Sequence, residues 1–279
     1  MVPSAFLRRE ILHMKLSEQK ITVIGAGNMA SAIVKGLLSR VEPTRITVSD
    51  KSEEKRKAMA VNGVTVTEDN RRAAEGADVI ILAVKPNIYP IVLEELKDLV
   101  TPLYITIAPG LSIAYMKQFF QGEVRMVRTM PNMPAQINCG MTAYTYQPPV
   151  TEEDAALARE ILSCLGDCIY LEEKLLNGAV AVNGSGPAYV FMMIEAMADG
   201  AVRCGIPRDK AYLLAAKTVE GSAAMVSQTG LHPAQLKDMV CSPAGTTIEA
   251  VKILEEKGFR NALMEAMQSC ADRSEAMGK

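Results

Sequence analysis

A short apolar run, Lys20-Ile21-Thr22-Val23-Ile24, passes directly into Gly25-Ala26-Gly27-Asn28-Met29-Ala30, and helix-spaced Ile33, Val34, Leu37 and Leu38 follow at once. Few local sequences restrict a chain so tightly. A strand that ends on glycine and turns straight into a helix is the opening of a dinucleotide-binding fold. Gly25 permits the tight turn, Gly27 lets a pyrophosphate approach the backbone, and Ala30 keeps the helix close to the strand. Asn28 and Met29 complete the first helical turn, whose N–H groups and positive dipole end favour phosphate. Gly25, Gly27, Asn28, Met29 and Ala30 are therefore the first candidate cofactor contacts.

The alternation continues for most of the first half. Ile46-Thr47-Val48, Gly63 to Val66, Ala77 to Val84, Leu103 to Ile107, Val124 to Val127 and Met141 to Tyr146 read as strands. Helical periodicity covers Ile91 to Val100 and Ile113 to Phe120, and Thr151-Glu152-Glu153-Asp154 has the spacing of a capping box with Asp in place of Glu. Ala77 to Val84 is almost wholly apolar, as a central parallel strand buried on both faces must be. Repeated strand–helix order implies an α/β, Rossmann-like, doubly wound and mostly parallel sheet over residues 1–171, with 1–19 an N-terminal extension.

Past Tyr170 the β-branched runs cease. Helices are expected over Glu173–Val182, Pro187–Cys204, Pro207–Thr229, Pro233–Val240, Thr247–Lys257 and Arg260–Met277. Pro187, Pro207 and Pro233 fall at helix starts, and Gly205, Gly230 and Gly258 at helix stops. Residues 172–279 thus form an all-α C-terminal domain. The helix from Pro187 is apolar on most sides, which suits either an intramolecular bundle core or a dimer interface.

Composition removes several classes of function. Thirty basic against 32 acidic side chains give a net charge of −2, which lacks the positive surplus that nucleic acid demands. Trp is absent and aromatic residues make up 5%, too few for a base-stacking surface. The six cysteines form no CxxC pair and only two histidines are present, so no metal site is expected. The apolar stretch from Ala179 to Met193 is interrupted by Asn183, Gly184, Ser185, Gly186 and Pro187, so no membrane span is expected. Arg8, Arg9, Glu10 and Lys15 break up the start of the chain, unlike a secretory signal, and unpaired thiols fit a cytoplasmic location.

The other strand ends should face the same ligand, because open α/β sheets bind at the carboxyl ends of their strands. The second strand ends in Ser49-Asp50-Lys51-Ser52. Asp50 stands where an acid accepts from the ribose 2′-hydroxyl of NAD, whereas Ser49, Lys51, Ser52 and Arg56 offer groups for a 2′-phosphate. Those residues leave both cofactors open. Ala83-Val84-Lys85-Pro86 ends the fourth strand, and Ala108-Pro109-Gly110 and Arg128-Thr129-Met130-Pro131-Asn132 end the two after it. In the helical half, Asn183 to Tyr189 and Cys241 to Thr247 place small residues and hydroxyls before helix starts. That arrangement suits a carboxylate, although plain N-capping by Ser185 and Thr246 also accounts for it.

From about Ile21 to Met277 the chain resembles the pyrroline-5-carboxylate reductase family. The resemblance is most specific over Leu236 to Ala250, and Ser185-Gly186-Pro187-Ala188-Tyr189, Ala83-Val84-Lys85-Pro86 and Met130-Pro131-Asn132 add to it. It implies hydride transfer from NADPH, with NADH an option, to the cyclic imine of 1-pyrroline-5-carboxylate, giving L-proline. It assigns Thr247 as the hydrogen-bond partner or proton donor of the ring nitrogen, and Ser242, Gly245 and Thr246 with Thr247 as substrate-binding residues. Asn70, Ala83, Lys85, Ala108 and Asn132 match positions lining the cofactor, beside Val84, Pro86, Ser49 and Ser52 of the same strand ends. A homodimer built from the helical, substrate-binding half, assembling into a larger homo-oligomer, is implied as well. One position departs from the family pattern: Ala244 stands where Gly is usual, and its methyl is expected to fit if the backbone angle is ordinary.

Two alternatives share parts of this pattern. A β-hydroxyacid dehydrogenase needs a lysine base on a helix of the second domain, and Lys174 precedes the corresponding segment without lying in it. A non-catalytic NADP(H) sensor would have no use for hydroxyls at Ser242, Thr246 and Thr247.

Overall fold

The computed structural model describes residues 15–277. Of the expected N-terminal extension only 15–19 fall within that range, and there Leu16–Glu18 makes a 3-10 turn with Leu16 buried. The chain divides into two compact units, one holding the residues up to Gly184 with those from Arg273 onward, the other Ser185–Asp272.

The first unit is built on β1 (Ile21–Ile24), β2 (Ile46–Ser49), β3 (Thr65–Thr67), β4 (Val79–Leu82), β5 (Leu103–Thr106), β6 (Arg125–Met130), β7 (Gly140–Tyr146) and β8 (Gly166–Tyr170). They form one sheet in the order β3-β2-β1-β4-β5-β6-β7-β8. Every pairing is parallel except β6 with β7. The chain reverses between those two through a 3-10 turn, Met133–Ile137, that ends on left-handed Asn138. An antiparallel neighbour needs no crossover helix, so a short connection suffices.

The period-2 alternation explains how both faces are covered. In β4, Val79 and Ile81 join a core with Ile33, Val34 and Leu37 of α1 (Asn28–Leu37) and Ile161 and Leu162 of α6 (Glu152–Ser163). Ile80 and Leu82 join the opposite core with Tyr89 and Leu93 of α4 (Tyr89–Glu95) and Met116 of α5 (Ile113–Lys117). The capping box of α6 forms as the spacing implies, Asp154 N donating to Thr151 Oγ1 at 3.1 Å and Thr151 N to Asp154 Oδ2 at 2.9 Å.

Several elements differ from the sequence expectation. The third strand lies at Thr65–Thr67 rather than Gly63–Val66, and the helices after β4 and β5 end at Glu95 and Lys117, short of Val100 and Phe120. β8 was not anticipated, because Gly166, Asp167 and Cys168 carry little apolar alternation and the strand lies half-exposed at the sheet edge. The helix expected over Glu173–Val182 is three short windings: a 3-10 turn Glu173–Leu175, α7 (Leu176–Ala179) and a π turn Val180–Gly184.

Tertiary contacts impose those breaks. Arg128 on β6, 4% exposed, pairs with Glu173 through Nη1 and Oε1 at 3.2 Å and donates to Asn177 Oδ1 at 3.3 Å. Glu173 also accepts from Ile113 N at 2.8 Å and Gln147 Nε2 at 2.7 Å. One carboxylate thereby ties three segments of the unit, and burial pulls the Arg128 guanidinium below its usual pKa against the opposing pull of Glu173.

The second unit comprises α8 (Gly186–Arg203), α9 (Arg208–Thr229), α10 (Pro233–Val240), α11 (Thr246–Glu256) and most of α12 (Phe259–Met277). Its fully buried side chains, among the described residues, are Ala198, Ala211 and Ala215, at the contact of α8 with α9. Phe191 at 52% and Met192 at 68% exposure show that α8 is not the enclosed core of an intramolecular bundle. Removing the arginine of a buried ion pair strands a carboxylate, so Arg128→Ala should lower stability by about 3 kcal/mol. Urea unfolding of the full-length protein measures it, and a loss near zero would mean that Glu173 finds other partners.

Candidate active site

The turn after β1 is shaped by its glycines. Gly25 has φ +106°, its N–H donates to Ser49 O at 2.6 Å, and a methyl group there would lie 2.5 Å from Ala83 O. No side chain but hydrogen fits. Gly27 is the opposite case: it is extended at φ −80°, and a methyl group would meet nothing within 4 Å. The protein itself does not fill that space, and no side chain caps α1. A hollow beside uncapped amides is the cradle a diphosphate needs. Ala30, fully buried, closes the helix onto the strand.

At the end of β2 the side chains alternate inward and outward. Ser49 is fully buried and donates to Asn70 Oδ1 at 2.6 Å, and Asn70 Nδ2 donates to Glu95 Oε2 at 2.7 Å. Both residues therefore lie beneath the surface. Asp50 is turned the other way, accepting from Ala26 N and Ser52 N, each at 2.8 Å, with Lys55 Nζ 4.0 Å away. Its charge is spent on two peptide amides and a lysine, which weakens its opposition to a 2′-phosphate. Ser52 caps α2 (Glu53–Ala60), and Arg56 Nη1 donates to Asp50 O at 2.8 Å and Lys51 O at 3.0 Å.

The ends of β4, β5 and β6 lie side by side with β1 in the sheet. Ala83 and Val84 are half-buried, Lys85 is exposed, Pro86 opens a 3-10 turn and Ala108 is buried. Thr106 is their hub. The buried Tyr89 hydroxyl donates to Leu82 O at 2.7 Å and receives Thr106 Oγ1 at 2.8 Å, while Thr129 Oγ1 donates to Thr106 O at 2.9 Å. Burial raises the Tyr89 pKa far above the ordinary phenol value, so it stays a neutral brace. Asn132, after β6, is bonded to Asn183 and to Met141 N. The structure so gathers the candidate cofactor residues of β1, β2, β4, β5 and β6 on one sheet edge. Tyr89, Thr106, Thr129 and Asn183 were missed as its braces, since nothing local marks them; Asn183 alone lay in a segment noted for irregularity.

Ser242, Gly245, Thr246 and Thr247 lie in the helical unit, between α10 and α11. Gly245 N donates to Ser242 O at 3.0 Å, closing a four-residue turn with Pro243 second and Ala244 third. A methyl group on Gly245 would collide with the Ser242 hydroxyl. Gly245 is the N-cap of α11, Thr246 its first residue, and no side chain caps the helix. Ser185 likewise makes no capping bond to α8; its hydroxyl meets Cys270 Sγ at 3.1 Å. Plain capping therefore does not account for either hydroxyl. Ala244 has φ +54°, so the ordinary angle expected for it is not met. The third position of a turn opened by proline favours φ above zero, and glycine with it.

Residues 173–277 match a family model described as pyrroline-5-carboxylate reductase dimerisation, and residues 20–110 one described as NADP oxidoreductase, coenzyme F420-dependent. The chain is 46% identical over 267 residues to the pyrroline-5-carboxylate reductase of Escherichia coli strain K12, spanning 94% of this chain and 99% of that protein. It is 41% identical over 269 residues to that of Methanosarcina acetivorans, spanning 95% and 100%. The solved pyrroline-5-carboxylate reductase of Coxiella burnetii superposes with a TM-score of 0.87 at 36% identity, over 94% of this chain and 99% of that one. The Plasmodium falciparum pyrroline carboxylate reductase, solved with NADP bound, superposes with the same TM-score of 0.87 at 29% identity and the same coverage, 94% and 99%.

A left-handed alanine is strained where glycine is not, although glycine gains more freedom on unfolding. Ala244→Gly should accordingly raise stability by about 0.5–1 kcal/mol, the difference between those two effects. Denaturant titration of both proteins decides it; a destabilised variant would show that the turn tolerates alanine without strain.

Proposed function

The chain belongs to the pyrroline-5-carboxylate reductase family, and on that premise we propose how its residues reduce 1-pyrroline-5-carboxylate to L-proline, the last step of proline biosynthesis. The enzyme is an oxidoreductase acting on the CH–NH group, with NADPH as cofactor. The observation that carries the reading is the uncapped start of α11 behind the turn of Ser242 to Gly245, inside the most specific stretch of the resemblance.

When bound, NADPH supplies a hydride to the imine carbon. The amides following Gly25 and Gly27, with Asn28, Met29 and Ala30, hold its diphosphate. Ser52 beside Lys51 contacts the adenosine end, while buried Ser49 and Asn70 shape it from beneath. Ala83, Val84, Lys85, Pro86, Ala108 and Asn132 line the nicotinamide end. Ser242, Gly245 and Thr246 grip the substrate carboxylate through hydroxyls, amides and the helix dipole. Thr247 donates a hydrogen bond or a proton at the ring nitrogen. A protonated cyclic imine is already electrophilic, so the protein's work is to orient it and to favour the cationic ring.

By function we divide the chain into a nucleotide-binding domain, 1–171, and a substrate-binding and dimerisation domain, 172–279; the dimerisation match over 173–277 supports that division. The chain forms a homodimer, and assembly of dimers into a larger homo-oligomer is supported by large apolar side chains left exposed throughout the helical unit, among them Leu213, Met239, Leu254 and Met264. A cytoplasmic location is supported by six unpaired thiols. Among the described residues no helix is long and apolar enough to cross a membrane.

Purified protein should oxidise NADPH on addition of 1-pyrroline-5-carboxylate and form proline, with kcat/KM greater for NADPH than for NADH; a strong preference for NADH would return Asp50 to the role of ribose acceptor. Thr247→Ala should lower kcat by about 10²-fold or less, and an unchanged kcat removes Thr247 from the chemistry. Gly27→Val should fold normally yet raise KM for NADPH by roughly tenfold or more, because its side chain would enter space kept for phosphate. Wild-type affinity in that variant would refute the cradle.

A further inference from the structure

A π turn inserts one residue into a helical winding, and such turns concentrate at functional sites. In Val180–Gly184 the widened turn presents Asn183 to the end of β6. Asn183 Nδ2 donates to Met130 O at 2.6 Å and to Met141 O at 2.8 Å, and Asn183 Oδ1 accepts from Asn132 Nδ2 at 2.9 Å. Asn132 Oδ1 in turn accepts from Met141 N at 2.9 Å. Two carboxamides thus lock the last residue of β6, the second residue of β7 and the turn between them. The approach is close: a methyl group on the next residue, Gly184, would lie 2.5 Å from Met130 Cε.

This network uses both amide protons of Asn183 and one of Asn132, and each carboxamide oxygen accepts one hydrogen bond within it. Asn183 has no amide proton left for a ligand. Asn132 retains one amide proton, and its carboxamide cannot flip without breaking two hydrogen bonds. We propose that Asn183 is a positioning residue for NADPH, fixing the orientation of Asn132 and the spacing of the β6 end at the nicotinamide side. The proposal rests on the reading of Asn132 as a cofactor-lining residue. The side-chain chemistry is specific: an aspartate at 183 would set a carboxylate against two carbonyl oxygens, and a serine would supply one donor in place of two.

The test uses the full-length enzyme with Asn183→Ala, Asn183→Ser, Asn132→Ala and the double variant Asn132→Ala/Asn183→Ala. NADPH affinity is read as KM and by direct fluorescence titration, alongside KM for 1-pyrroline-5-carboxylate, kcat and the unfolding temperature. Asn183→Ala should raise KM and Kd for NADPH about tenfold, the scale of losing directed hydrogen bonds, while KM for the imine changes less than about twofold, within the spread of an uncoupled site. Asn183→Ser should fall between. The double variant should match Asn132→Ala alone, because the two side chains act as one unit. If Asn132→Ala weakens NADPH binding and the Asn183 variants shift only the unfolding temperature, Asn183 is a packing residue: the proposal fails and the cofactor reading stands. If Asn132→Ala leaves NADPH binding intact, both fail. Should Asn183→Ala not fold, wild-type NADPH affinity in Asn183→Ser overturns the proposal equally.

Discussion

The contact of Gly25 with Ala83 sets the geometry on which the nucleotide-binding unit depends. Strand order reverses between β1 and β4, and the crevice at that reversal is where a ligand finds room beyond the carboxyl edge. The room exists only because the chain leaving β1 turns at φ +106° against the carbonyl of Ala83, with no side chain to hold the two apart. Everything downstream inherits that closeness. Ala26 reaches Asp50, α1 starts at Gly27 with its amides uncapped, and the ends of β5 and β6 align with β4 through Thr106. A side chain at Gly25 would open the edge as a whole rather than disturb one contact.

The parts that were legible in the sequence are those whose cause is local. A glycine needed for a backbone angle, an apolar run buried on both faces and a Thr–Asp capping box each follow from one residue and its near neighbours. The parts that were not legible are decided at long range. The windings between Glu173 and Gly184 share one helical periodicity, and they separate because Arg128 claims Glu173 and Asn183 claims the carbonyls of Met130 and Met141. β8 escapes notice because an edge strand can be short and polar and still pair on one side. At the end of β2 the period of two puts Ser49 inside and Asp50 outside, and so converts a hydroxyl offered for phosphate into an internal bond to Asn70. Its residue types were readable, but the direction of each side chain was not.

The helical unit poses a different balance. Its buried side chains are three alanines, while leucines, methionines and phenylalanine on its helices remain accessible. Apolar area of that extent in a single chain is a surface meant for a partner, in accord with the dimerisation match over these residues. The turn from Ser242 to Gly245, proposed to hold the substrate, sits within this unit and is built with some strain, since Ala244 holds a left-handed angle and Gly245 yields its side-chain space to the Ser242 hydroxyl. Strain of this kind persists where surrounding structure over-determines the backbone.

Both candidate ligand-holding segments rely on peptide amides and neutral side chains, and the chemistry explains why. The imine brings its own positive charge when protonated, so an enzyme for it gains little from a strong acid beside the ring and much from fixed dipoles. At the strand ends proposed to meet the nicotinamide, the braces are Tyr89, Thr106, Thr129, Asn132 and Asn183, none of which changes charge near neutrality; burial pushes the one phenol further from ionising. Carboxylates enter near the end of β2, where Asp50 and Glu95 accept hydrogen bonds from amides. The hydrogen-bonded braces are so divided between neutral groups at the ends of β4, β5 and β6 and groups that include carboxylates near the end of β2. Braces that do not titrate hold the strand ends in one arrangement across the neutral pH range.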